Sequence, residues 1–164
     1  MESIAQSLEY NHNIMRTVRP LLICAVLAGL SCGNKDAAQT QARLEQQFQD
    51  SLQNATLVGK FSSKNKENLA ADRYDISQVT RLPGGIWLIH TRVRYGSHDV
   101  TVPIPVKVVW AGDTPVITLT DLMIPGLGTF TARVLFYRNE YAGTWSSASG
   151  HGGQMFGRIE RGKP

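Results

Sequence analysis

The chain has 164 residues, with 17 basic and 13 acidic side chains, a formal charge of +4 and two cysteines. The basic residues are scattered and form no block, which argues against a nucleic-acid surface. Cys24 and Cys32 both lie in one N-terminal stretch, so the rest of the chain forms no internal disulfide and depends on packing.

Arg16 and Arg19 precede an uncharged apolar run over 21–30. At about ten residues, the run matches the apolar region of an export signal and falls short of the roughly twenty needed to span a bilayer. The residues before Met15 include Glu2 and Glu9 but no Lys or Arg, so the signal is expected to start at Met15. Ala28-Gly29-Leu30-Ser31-Cys32 resembles the lipobox of bacterial lipoproteins, in which the cysteine thiol takes a diacylglyceryl group and the chain is cleaved before it. The commonest lipobox has Leu three residues before the cysteine, where this chain has Gly29. Cys24 fits less well, because the bulky Ile23 precedes it. The resemblance implies a signal peptide over 1–31 and a lipid on Cys32 holding the protein in the cell envelope, on the periplasmic face or at the outer membrane. The alternative is an ordinary secretory signal, which would release a soluble periplasmic or secreted protein.

Small polar residues over 32–40 suit a flexible tether, followed by a single domain over 41–164. Leu44, Phe48, Leu52 and Ala55 recur at helical spacing and give a short amphipathic helix. Beyond it the period changes to two. Strands are expected at 56–62, 73–82, 86–95, 98–110, 116–124, 129–137, 141–147 and 154–160, separated by tight-turn sequences such as Pro83-Gly84-Gly85 and Gly112-Asp113.

Successive short turns make this a mainly β, antiparallel meander of about eight strands. Val100, Val102, Ile104, Val106, Val108 and Trp110 form one apolar face, while Thr101, Pro103, Pro105 and Lys107 form the other. A sheet with one apolar face must curl over it, so a barrel or half-barrel is expected. Pro103 and Pro105 lack N–H groups toward the same neighbour, which predicts an opening beside them.

This architecture resembles the lipocalin and avidin group of up-and-down barrels, which bind small apolar ligands or protein partners. Gly143-Thr144-Trp145 is similar to their Gly-x-Trp, and Arg158 to their closing arginine. In lipocalins that motif lies on the first strand and here on the second-last, so no ligand site is carried over. Trp87, Tyr95, Trp110, Phe130, Phe136, Tyr141 and Trp145 either fill the barrel or line an apolar pocket.

No spacing of His90, His98 and His151 favours a metal, and no Gly-x-Ser-x-Gly elbow accompanies the serines of 146–149. The expectation is a non-catalytic binding module with no metal or other cofactor. Its partners would be the membrane, through Cys32, and a small apolar ligand or an envelope protein. A structural lipoprotein with a filled barrel and, further off, a hydrolase using the histidines are the alternatives.

Overall fold

The computed structural model describes residues 27–64 and 67–161, with side chains from Lys35 onward. The expected signal region up to residue 26 therefore lies outside the described residues, as does the side chain of Cys32. The chain divides into two units, Met1–Gln41 and Ala42–Pro164. In the first, the described residues are helical, as the start of α1 (Leu27–Leu52). The stretch read as a tether is thus helix, and the expected short helix is the last part of a longer one. Ala55, assigned to the helical stripe, instead opens the first strand.

The second unit contains the end of α1 and eight strands: β1 (Ala55–Phe61), β2 (Ala70–Arg81), β3 (Ile86–Tyr95), β4 (His98–Ala111), β5 (Thr114–Ile124), β6 (Gly128–Tyr137), β7 (Glu140–Ser147) and β8 (Gly152–Arg161). Each neighbour in the sequence is an antiparallel neighbour in space, and β1 also pairs with β8, from Ala55↔Arg161 to Phe61↔Met155. The barrel is closed, which corrects the expected open or half-open form. Closure removes the free edges that eight paired strands would otherwise expose.

The opening expected at Pro103 and Pro105 persists only as a short split in the wall. β4 pairs with β3 from Tyr95↔His98 to Ile86↔Lys107, but with β5 only from Lys107↔Thr118 to Ala111↔Thr114. Two residues unable to donate a ladder bond sit in the part that β5 leaves unpaired. Side chains fill the split: Val102, Ile124 and Val93 pack together there. The β5–β6 turn also comes close, since a Cβ on Gly126 would lie 2.9 Å from Val100 Cγ1.

Apolar side chains point inward along every strand, while Lys60, Arg73, Arg92, Lys107 and Arg133 point outward. This is the reverse of a membrane-spanning barrel, whose apolar band faces lipid. Among the described residues no helix is long and apolar enough to cross a membrane.

Candidate functional site

The two ends of the barrel differ in how they are filled. At the end where β1 begins, the last turns of α1 insert Phe48 and Leu52 between the strands, and Phe48 is 3% exposed. The Phe48 ring meets Trp87 edge-on at 5.1 Å between centroids, Phe136 at 6.0 Å and Trp110 at 6.3 Å. Aromatic edge-to-face contacts of this kind add to the stabilisation from area burial alone.

Polar contacts hold the helix in place. β2 runs past the start of β1, so its backbone beyond Ile76 lacks a strand partner on that side. Gln49 of α1 and Gln53, just past its end, supply the missing bonds. The Val79 N–H donates to Gln53 Oε1, Gln49 Nε2 donates to the Val79 carbonyl and Gln53 Nε2 to the Ser77 carbonyl. Arg81 pairs with Glu45 at 3.1 Å.

Past this plug the interior is hollow. A cavity of about 190 Å³ is lined by side chains from β1 to β8 and by Leu52 at its base. Its wall is almost entirely aliphatic and aromatic, with no Lys, Arg, Asp, Glu or His. Toward the opposite mouth lies a wider vestibule of about 680 Å³, bordered by Asn68, Ser97, His98, Ser149 and His151. Phe61, Tyr95, Leu127, Phe130 and Trp145 border both spaces, so the vestibule leads into the cavity.

The seven aromatic residues picked from sequence therefore separate into three groups. Tyr95, Phe130, Phe136 and Trp145 line the cavity. Trp87 and Trp110 pack around Phe48 at the plugged end. Tyr141 is buried and lies outside the cavity wall, with its hydroxyl donating to Asp72 at 3.1 Å.

That bond belongs to a buried polar cluster that sequence reading missed. Asp72 is 4% exposed and also accepts from the Tyr74 hydroxyl at 3.3 Å. In register, Tyr141 faces Gly157, Gly157 faces Gly59 and Gly59 faces Asp72. The tyrosine ring crosses two residues without side chains to reach the carboxylate, so a Cβ at Gly157 would come 2.8 Å from Tyr141 Cε1. Burial raises the Asp72 carboxyl above its ordinary value, and the two tyrosine hydroxyls offset part of that rise. Burial and the neighbouring Asp72 charge push both Tyr74 and Tyr141 upward, so these phenols stay protonated donors. A signal was present in the sequence: Gly59 and Gly157 interrupt strands, which marks a close approach.

The three histidines do not converge with a carboxylate. His90 lies on β3 among outward residues, while His98 and His151 border the vestibule. His98 stacks on Tyr95, and His151 Nδ1 lies 3.0 Å from Ser149 Oγ within an exposed turn. Among the described residues no group of three or more His, Cys, Asp or Glu side chains is placed to hold a metal ion. No protein-family model, curated protein or solved structure matches this chain.

Proposed function

We propose that this is a non-catalytic, lipid-anchored envelope protein that holds a small apolar molecule in the hollow half of its barrel. The observation that carries the reading is the 190 Å³ apolar cavity reached through a polar vestibule. A dry cavity of about 150 Å³ lined by Leu, Ile and Phe is enough to bind benzene. An apolar chamber entered past a few polar groups is the usual form of a small-molecule site. Membrane attachment rests on the lipobox-like residues ending at Cys32, and cleavage there would leave residues 32–52 of α1 ahead of the barrel.

Native mass spectrometry of the protein extracted from its own membrane tests the binding reading. One small-molecule adduct per chain is expected, and an empty protein would overturn it. Radioactive fatty-acid labelling tests the anchor: label is expected on the native chain and absent from Cys32→Ser, and equal labelling would exclude this attachment site.

One observation favours a second reading, in which the barrel docks on an envelope protein. Val109, Val116, Leu135, Ala142 and Phe156 stand opposite one another in register and form an outward apolar row across β4 to β8. Val109, Leu135 and Phe156 are exposed. Contiguous exposed apolar surface of this kind marks interaction sites. Co-purification of a partner, lost in Leu135→Lys, is the outcome expected of this reading.

A further inference from the structure

Four side chains of the cavity wall carry polar atoms: Tyr74, Thr91, Tyr95 and Trp145. The Tyr74 hydroxyl is committed to Asp72, and Trp145 Nε1 donates to the Ser62 carbonyl at 3.2 Å. Tyr95 sits at the rim, where cavity and vestibule meet. Thr91 differs from all three. It lies deeper on β3, is 3% exposed, and its Oγ1 is buried without a hydrogen-bond partner among the described residues.

The neighbours of Thr91 explain why nothing in the chain satisfies it. Ile89 and Val93 point inward on either side along β3, and Ile76 and Val102 stand opposite it on β2 and β4. All four are aliphatic. Buried hydroxyls are nearly always bonded, and an exception requires a reason. Here the side chain lines an empty space while its Oγ1 is covered, so a molecule in that space can supply the partner once the threonine turns about χ1. A threonine hydroxyl both donates and accepts, so it suits an alcohol, a phenol or a carbonyl equally. A charged head group would find no counter-ion in this wall, and burying it unpaired is strongly disfavoured.

We propose that the cavity takes an uncharged, mostly apolar molecule carrying one hydroxyl or carbonyl group, which bonds Thr91 Oγ1. By proportion to a six-carbon ring in about 150 Å³, the cavity holds a body of about eight carbons, and larger ligands extend into the vestibule. Thr91 is then the residue that selects among apolar molecules of equal size. This inference rests on the reading of the cavity as a ligand site.

Calorimetric titration of the full chain with propylbenzene, 4-propylphenol and 4-propylbenzoate tests it, because these share a body and differ in one group. The wild type is expected to bind 4-propylphenol about tenfold tighter than propylbenzene, and 4-propylbenzoate more weakly than the phenol. Thr91→Val brings the phenol down to the affinity of the hydrocarbon without weakening the hydrocarbon. Thr91→Ser, which restores a hydroxyl, keeps the preference. Equal binding of phenol and hydrocarbon by the wild type, or a preference that survives in Thr91→Val, overturns the role of Thr91 and leaves the apolar-site reading intact. Tightest binding of the benzoate overturns the claim that the ligand is uncharged. Failure of all three probes to bind overturns both the inference and the reading beneath it.

Discussion

Replacing Phe48 with alanine tests whether the end of α1 seals the barrel. The side chain is 3% exposed and packs edge-on against Trp87, Trp110 and Phe136. A buried Phe→Ala change costs about 3–5 kcal/mol, combining lost transfer energy with the space left behind. A domain of this size is stable by only about 5–15 kcal/mol, so the variant should fold but unfold much more easily. Urea denaturation followed by tryptophan fluorescence suits the question, because Trp87 and Trp110 both touch the deleted ring. With a slope of about 2 kcal/mol per molar urea, the midpoint should fall by about 2 M. Gln47→Ala, on the exposed face of the same turn, should shift stability by less than about 0.5 kcal/mol. A loss under about 1 kcal/mol for Phe48→Ala would refute the plug, since such a value describes a helix that merely rests on the rim.

Three further outcomes follow from the buried cluster. The Asp72 carboxyl is raised by burial above its ordinary 3.8, so the folded state holds its proton more tightly than the unfolded state. Stability is therefore lost as pH rises from about 4 through the folded-state value, and Asp72→Asn should remove that decline. Thermal melts from pH 3 to pH 8 check this, and parallel profiles for the two proteins would refute it. Tyr141→Phe removes one of two hydroxyl donors from a buried carboxylate and should cost about 1–3 kcal/mol in urea titration. Gly157→Ala places a methyl group against the Tyr141 ring and the neighbouring strand, so a lower melting temperature is expected, with a larger fall than for Gly150→Ala. Although Gly150 lies at φ +85°, a Cβ there would meet nothing within 4 Å.

Much of the barrel was legible because alternation is a local property. β3 has the expected boundaries and the other strands differ by one to three residues at their ends, since turn glycines and prolines mark where pairing must stop. Closure was not legible. Pro103 and Pro105 correctly pointed to missing ladder bonds, but those bonds are confined to part of one seam, and the β1–β8 pairing that closes the ring is set by long-range register. The site was half legible for the same reason. Parity shows that Trp87 and Trp145 both face inward, yet only their height along the barrel decides that one meets Phe48 and the other borders the cavity. Asp72 and Thr91 share the inward parity of Tyr74 and Val93, but their polarity argues for the outer face until burial is seen.

A hollow of this kind is itself costly to the folded state. At about 24 cal/mol per Å³, a cavity of about 190 Å³ corresponds to a stability on the order of 4–5 kcal/mol that a filled core would recover. Ala132 shows how easily part of it could be recovered, since this small residue is buried in the cavity wall between Leu119 and Trp145 in register. Ala132→Leu projects three more carbons into the space and should raise the stability of the ligand-free protein by about 1–2 kcal/mol. The same change takes room from the ligand. A ligand at a hundred times its dissociation constant stabilises a folded protein by about 2.7 kcal/mol, so saturating 4-propylphenol should raise the melting temperature of the wild type and leave that of Ala132→Leu unchanged. A variant that is less stable alone and still gains with the ligand would show that the molecule sits elsewhere. The opposite pair of shifts would mean that the empty half of the barrel exchanges stability for occupancy, while the plugged half supplies the stability that makes this exchange tolerable.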